Sequence, residues 1–147
     1  MPELAANLRK QLSRVRLKVL PEDYFVVRLP PDEKAVPAEW YRPATTRFAV
    51  FIRDPEAVTL VVPRRKWLRM QNLFRKFRVV EIVKVVTLGV RRARKLEPCL
   101  MAVGRVLAEA GIGAAPLCSF HSDHILVPKQ NLPRAVRLLR QFLAQNR

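Results

Sequence analysis

The sequence has few of the features that secreted and membrane-spanning proteins need. It contains only two cysteines, Cys99 and Cys118, too few for a disulfide framework or a cysteine-rich zinc site. No apolar run approaches the ~18 uncharged residues that span a bilayer. Residues 1–18 mix charged and apolar side chains and lack the apolar core of a secretory signal peptide. We therefore expect a cytoplasmic protein with reduced, buried thiols and no membrane partner.

Acidic residues are scarce, and the shortage is concentrated in one segment. The chain contains 28 Lys+Arg and 12 Asp+Glu, which gives a formal net charge of +16. Residues 64–95 carry twelve basic side chains and a single acidic one, Glu81. A stripe of this charge favours an anionic partner, either nucleic acid or an acidic protein surface. The alternative is a solvated, arginine-rich face of the kind found in thermophile-like proteins.

Aromatic side chains make up only 7% of the chain, yet two of them lie within this basic stripe. Trp67 and Phe74 could stack on the bases of a single-stranded nucleic acid. Their spacing, with Met70 and Leu73 between them, favours the alternative, the buried side of a short amphipathic helix. If the stripe binds nucleic acid, the expected phosphate contacts are Arg64, Arg65, Lys66, Arg69, Arg75, Lys76, Arg91, Arg92, Arg94 and Lys95.

Motifs of the common catalytic and cofactor sites are absent. The sequence has no G-x-S-x-G, no P-loop and no G-x-G-x-x-G fingerprint. His121 and His124 are three positions apart, and side chains on a strand alternate between its faces. The two histidines are therefore expected to point to different sides. We expect no catalytic residue, no metal site and no cofactor.

Hydrophobic patterning predicts alternating strands and helices. The predicted order is a helix at 3–14, strands at 15–20 and 23–29, a helical turn at 36–41, a hairpin at 47–62, a helix at 64–76, a long strand at 77–88, a helix at 98–111, strands at 114–120 and 124–127, and a helix at 132–145. Gly89 is expected to break the long strand, and Asn131 to cap the last helix. The pattern strand–helix–strand–strand–helix, degenerate in the first half, predicts an α+β fold. Its antiparallel sheet carries helices on one face.

The order and spacing of several short motifs resemble those of small tandem ACT-domain proteins. The matching segments are Leu17–Pro21, Tyr24–Pro31, Pro37, Trp40, Phe48–Pro63, Leu107–Ile112, Ser119–Val127, Leu132 and Ala135. The resemblance implies a ferredoxin-like fold with βαββαβ-type ACT units in tandem. It implies an N-terminal arm or short helix at 1–14, a first, degenerate unit at 15–78 and a second unit at 79–147.

The resemblance also implies a function and a site. ACT units are generally regulatory and not enzymatic, and they bind small effectors, often amino acids, at interfaces between units. We therefore expect a homodimer that binds an amino acid where a strand turns into the first helix of a unit. A glycine there permits close backbone approach, and helix N–H groups favour a carboxylate. The expected contacts are the backbone of Leu88, Gly89 and Val90 and the side chains of Ser119, Phe120, His121 and His124.

Two positions depart from the family's usual pattern. The family tends to have an Asp-aromatic-Ser/Thr segment where this chain has Arg91–Pro98, so an aspartate that could hold an effector's ammonium group is missing. His124 stands where an aromatic residue, commonly Tyr, is usual. Because arginine matches carboxylate and phosphate geometry, a more anionic ligand is the alternative to an ordinary amino acid.

Overall fold

The computed structural model describes residues 2–34, 37–42, 45–90 and 97–147. In chain order the helices and strands are α1 (Pro2–Leu12), β1 (Val15–Val19), β2 (Tyr24–Leu29), β3 (Val50–Arg53), β4 (Val58–Pro63), α2 (Arg64–Met70), β5 (Arg78–Val90), α3 (Glu97–Glu109), β6 (Ala115–Cys118), β7 (Asp123–Pro128) and α4 (Leu132–Gln145). Short 3-10 turns occupy Ala38–Tyr41, Gln71–Leu73 and Lys129–Asn131.

The chain forms two compact units. Unit 1 combines Met1–Pro21 with Lys84–Arg147, and unit 2 is Glu22–Val83. Strand β5 supplies its first residues to the sheet of unit 2 and its last residues to the sheet of unit 1. The division into 1–14, 15–78 and 79–147 stays a prediction, and the compact units group the chain differently because β1 pairs with the far end of β5.

Unit 1 is a sheet with helices on one face. Its strand order is β1-β5-β7-β6, and the β1–β5 and β6–β7 pairs are antiparallel. Helices α3 and α4 each bury one apolar side against the same face of the sheet. The core of this unit includes Val86, Leu88, Val103, Leu107, Ile125, Val127, Ala135, Leu139 and Leu143. Burial of this apolar surface is the main force that holds the helices on the sheet.

Unit 2 has the same sheet plan with less helix. Its strand order is β3-β4-β2-β5, and each of these pairs is antiparallel. Its core centres on Trp40, Trp67 and Phe74, whose ring centroids lie 5.5–6.1 Å apart. Because Trp67 and Phe74 are buried, the alternative that they stack on nucleic-acid bases is wrong. The helical spacing identified the correct alternative.

The fold class predicted from the sequence is confirmed. If β1 is counted as its last strand, unit 1 has the order β-α-β-β-α-β of a ferredoxin-like unit. Unit 2 has that order too, with its first helix reduced to the 3-10 turn Ala38–Tyr41. Within the described ranges, no helix is both long and apolar enough to cross a bilayer.

Two local predictions were wrong. Gly89 does not break β5, since it pairs with Arg16 and the strand continues to Val90. A glycine keeps both ladder groups, so one glycine weakens a strand without ending it. Asn131 forms no side-chain cap, because it adopts helical φ and ψ angles of −95° and −3°. An N-cap residue needs a non-helical backbone to direct its side chain at the first turn.

One buried charge anchors the irregular part of unit 2. Lys66 is 1% exposed, and its ammonium donates to Glu39 O at 3.1 Å, to Thr45 Oγ1 at 2.8 Å and to Thr46 Oγ1. All three N–H donors therefore have partners. Burial, together with the neighbouring Arg65 charge, lowers the pKa of Lys66. The lysine ties α2 to the segment that carries Trp40.

Replacing Lys66 should cost stability. We expect Lys66→Ala to lower the free energy of unfolding by about 2–4 kcal/mol, because the packed stem and three hydrogen bonds are lost. Urea denaturation followed by circular dichroism would measure the change. The matched control is Lys76→Ala at an exposed lysine, which should stay within about 0.5 kcal/mol of wild type. Equal effects of the two variants would contradict the anchoring role.

Candidate functional site

A small polar cluster joins two strands of unit 1. Thr87 lies on β5 and His124 on the neighbouring β7, and Thr87 Oγ1 is 3.0 Å from His124 Nδ1. Val86, Leu88 and Ile125 belong to the helix-side core. Since side chains alternate along a strand, Thr87 and His124 lie on the opposite, helix-free face.

Ser119 completes this cluster from the turn between β6 and β7. Its hydroxyl donates to Ser122 O at 2.7 Å, while the Ser122 N–H donates back to Ser119 Oγ at 3.2 Å. His124 Nε2 lies 3.4 Å from the same Oγ. Because the serine hydrogen is already used, this network fits a neutral His124 with its proton on Nε2 and with Thr87 donating to Nδ1. Ser119 is therefore held as a turn residue and is not activated as a nucleophile.

Burial controls the protonation of His124. Removal from water lowers the pKa of this imidazole, and the nearby Asp123 carboxylate opposes the shift only in part. The imidazole therefore stays neutral to a lower pH than an exposed histidine would. Near neutral pH the imidazole therefore keeps accepting a hydrogen bond from Thr87 and donating one to Ser119.

Asp123 presents a buried acceptor on the other face of β7. It is 4% exposed, and among the described residues its Oδ2 has no hydrogen-bond partner. Burial, followed by the charge of the Asp123 carboxylate, raises the pKa of the Cys99 thiol in the first turn of α3. A buried carboxylate oxygen without a donor is costly and uncommon in native proteins.

The three backbone contacts predicted from the sequence lie within β5. Leu88, Gly89 and Val90 pair with β1, and the Leu88 side chain is buried in the core. A Cβ placed on Gly89 would lie 3.8 Å from Arg16 O, an ordinary contact, so the strand does not require glycine there. The loop 91–96 that follows these residues lies outside the described part of the chain.

The four side-chain contacts predicted from the sequence separate into two pairs. Ser119 and His124 come together in the polar cluster. Phe120 and His121 lie at the exposed tip of the turn, with ring centroids 4.8 Å apart and Phe120 96% exposed. The two histidines therefore do not share a site. No group of three or more potential metal ligands occurs in the described residues.

Sequence reasoning gave no binding role to the side chains of Thr87 and Asp123, which the structure brings to the site. Strand alternation gave a signal for Thr87, because the buried Leu88 beside it forces Thr87 to the other face. No sequence signal showed that Asp123 would be buried, since acids in turn-like segments are usually exposed. The expectation of two buried thiols was half wrong, because Cys99 is buried and Cys118 is exposed.

Three side chains of the basic stripe are engaged or buried within unit 2. Arg65 binds Glu22 at 2.8 Å and Thr45 O at 2.9 Å, and Arg69 lies 3.4 Å from Glu39. Lys66 is buried and therefore inaccessible to a phosphate. Of the other predicted nucleic-acid contacts, Arg64, Arg75 and Lys76 are exposed, whereas Arg91, Arg92, Arg94 and Lys95 lie outside the described residues.

Comparison with models of protein families shows which family part of this chain is similar to. Residues 99–141, from the first turn of α3 into α4, match the family model of the ACT domain. The resemblance seen in the sequence is thereby confirmed, and the segment includes Ser119, His124 and Asp123. Among curated proteins, none matches this sequence.

Solved structures share the fold of the whole chain. A protein of unknown function from Vibrio cholerae, described as a possible transport protein, is 22% identical, with a TM-score of 0.69 over 95% of this chain and 98% of that one. An aspartokinase with alpha and beta subunits is 15% identical, with a TM-score of 0.66 over 92% and 99%. The regulatory subunit of aspartate kinase from Thermus thermophilus, in its ligand-free form, is 12% identical, with a TM-score of 0.56 over 86% and 95%.

The lowered pKa of His124 makes a prediction for stability. At pH values between the ordinary histidine pKa and the lower pKa of folded His124, this imidazole is protonated in the unfolded chain and neutral in the folded chain. Stability should therefore fall as the pH drops through about 6.5, with a slope of at most about 1.4 kcal/mol per pH unit. Urea unfolding at pH 5, 6 and 7 would measure this fall in the free energy of unfolding. His124→Gln should remove this dependence and His121→Gln should retain it, and the reverse pattern would contradict the assignment.

Proposed function

We propose that this protein is a non-enzymatic regulatory protein of the ACT type that binds a small effector, an amino acid, in unit 1. The observation that carries the proposal is the buried carboxylate oxygen of Asp123, the first residue of β7, which has no hydrogen-bond partner among the described residues. The N-terminal N–H groups of α3 favour the carboxylate of an amino acid, and Asp123 favours its ammonium group. The two features together suit a zwitterion.

The family relationship supports this assignment. ACT regulatory domains generally bind small-molecule effectors and oligomerise. The solved structures with this fold include the regulatory subunit of an aspartate kinase. In this proposal Asp123 supplies the acid that the loop at 91–98 lacks, so the departure of that loop from the family pattern does not remove the ammonium partner.

The neighbouring residues take supporting roles in this proposal. The hydrogen bonds among Thr87, His124 and Ser119 fix the start of β7, and Asp123 is the first residue of that strand. Leu88, Gly89 and Val90 end β5 just before α3 and offer backbone groups. The exposed Phe120 and His121 cover the effector from the tip of the turn. Effector capture then shifts the population of dimer arrangements, because a ligand favours the state that it binds more tightly.

A thermal-shift screen against the twenty amino acids, at low and moderate salt, tests the proposal. An effector that binds the native state should raise the melting temperature by mass action, and the shift should survive added salt. Asp123→Asn keeps the side-chain shape and should abolish the shift. Glu109→Gln, at an exposed acid on α3 paired with Arg105, should leave it unchanged. Retention of the shift in Asp123→Asn would contradict the role of this carboxylate.

Self-association is tested separately. We expect a homodimer, seen in light scattering after size exclusion as twice the chain mass, with the dimer fraction rising when effector is present. Monomeric protein that still gives an effector-dependent thermal shift would overturn the dimer while leaving the binding site in place. Sedimentation velocity at two protein concentrations provides the control for rapid exchange.

A further inference from the structure

A cleft lies between the outer strand of unit 1 and the last turns of α4. Its volume is about 340 Å³, and it is lined by residues 15–17 of β1 and by Arg140, Leu143, Ala144 and Arg147 of α4. Ligand sites usually have volumes of about 300–1,000 Å³, so a cleft of this size suits a small molecule. We call this feature the α4 cleft.

Apolar side chains form the wall of the α4 cleft between its charged groups. Leu17 is partly buried against the core of unit 1, and Ala144 is exposed on α4. Val15 and Leu143 also line the cleft and are almost completely buried, which anchors both of its sides in that core. Because Leu17 and Ala144 have no polar side-chain atom, this wall suits the aliphatic part of a ligand.

The charged side chains at the α4 cleft are all positive. Arg140 and Arg147 are both exposed, and within the described residues neither guanidinium pairs with a carboxylate. A spacing of seven residues is two helical turns, so the two arginines lie on the same side of α4 with Ala144 between them. Strand alternation sends the Arg16 side chain to the helix-free face, so the positive charge in the cleft comes from α4.

The two guanidinium groups are not needed to cap α4. Basic side chains near the end of a helix often bind its last carbonyl groups. Here the Asn146 amide Nδ2 donates to Phe142 O at 2.8 Å, and the backbone N–H groups of Asn146 and Arg147 donate to Leu143 O and Ala144 O. The last carbonyl oxygens of the helix therefore have donors already, and the arginine side chains remain able to bind an anion.

The backbone of β1 adds a hydrogen-bond donor at the cleft. The Leu20 N–H donates to Val85 O at 2.9 Å, which continues the β1–β5 register. Hydrogen-bonded and non-hydrogen-bonded pairs alternate along an antiparallel ladder, so Arg16 and Lys18 direct their backbone groups at β5 and Leu17 directs its own outward. Since β1 is the outer strand of unit 1, the Leu17 N–H lies on the open edge that borders the cleft.

We propose that the α4 cleft binds a small organic anion with a short aliphatic chain. Arg140 and Arg147 hold the oxyanion head group, a carboxylate or a phosphate, because both groups match the planar fork of a guanidinium. The aliphatic chain lies against Leu17 and Ala144. None of the lining residues belongs to the effector site around Asp123, so this inference does not depend on the proposed function.

The probes are hexanoate and hexyl phosphate, which share an aliphatic chain and differ in head group. Acetate and inorganic phosphate keep the head groups without the chain. Hexylammonium keeps the chain and reverses the charge. Each probe is titrated into the full chain at pH 7 and about 150 mM salt, which screens long-range attraction. Nitrogen-15 NMR correlation spectra give both the dissociation constant and the residues whose amide signals move.

A matched pair of variants tests the charged contacts. Arg140→Gln with Arg147→Gln removes the two guanidinium groups of the α4 cleft. Its control is Arg134→Gln with Arg137→Gln, which removes the same charge from exposed positions of the same helix outside the cleft. Circular dichroism confirms that each variant folds. The first variant should weaken binding about tenfold, because charge-assisted hydrogen bonds are lost, and the control should stay within about twofold of wild type.

A second pair of variants tests the cavity itself. Ala144→Phe fills the α4 cleft and keeps both arginines, so it should abolish binding. Its control is Gln145→Phe at the next, exposed position, which does not line the cleft and should leave binding unchanged. Asp123→Asn should also bind the probes as wild type does, which separates this site from the effector site.

The proposal expects saturable shifts at residues 15–17 and 140–147 with hexanoate or hexyl phosphate, and binding at least fivefold tighter than that of acetate or inorganic phosphate. The tighter of the two hexyl probes identifies the head group. Absence of saturable shifts at millimolar probe would overturn the proposal. So would equal binding of the head groups without a chain, equal binding of hexylammonium, or equal weakening by the Arg134 and Arg137 control.

Discussion

The backbone pairing of β5 is the constraint on which both units depend. Its first residues pair with β2 in unit 2, and its last residues pair with β1 in unit 1. Seven β-branched residues between 79 and 87 make this the most β-prone segment of the chain, so the strand is specified locally. Pairing with β1, some 70 residues away in sequence, supplies the outer strand of unit 1 from the beginning of the chain. The polar cluster exists because β5 and β7 are neighbours.

Two buried ionisable side chains, Lys66 and Asp123, differ in whether their polar atoms have hydrogen-bond partners. Lys66 is 1% exposed and uses all three donors on acceptors of its own unit, so its burial is compensated. Asp123 is 4% exposed and keeps one oxygen without a partner among the described residues. The lysine completes a packed structure, whereas the aspartate leaves an interaction to be made. That contrast explains why the proposed effector site centres on Asp123.

The unequal helix content of the two units gives them different surfaces. In unit 1 two long helices bury the helix side of the sheet, and the distinctive features are a few polar side chains near strand ends. In unit 2 the shorter helix layer leaves apolar residues of β5 exposed, among them Val79 and Ile82. Part of the basic charge of unit 2 is neutralised by Glu22 and Glu39.

The sequence by itself determined the elements and the fold class. Period-two and period-3.6 patterns placed most strands and helices to within a few residues, because each element buries one side. The helix predicted at 64–76 was too long, since α2 ends at Met70 and a 3-10 turn follows at Gln71–Leu73. Motif order gave the ACT resemblance, and helical spacing placed Trp67 and Phe74 in the core. Only the tertiary structure decided that β1 pairs with β5, that Lys66 and Asp123 are buried, and that His124 contacts both Ser119 and Thr87. These outcomes depend on pairing between distant strands and on the hydrogen bonds that pairing permits, which no local pattern encodes.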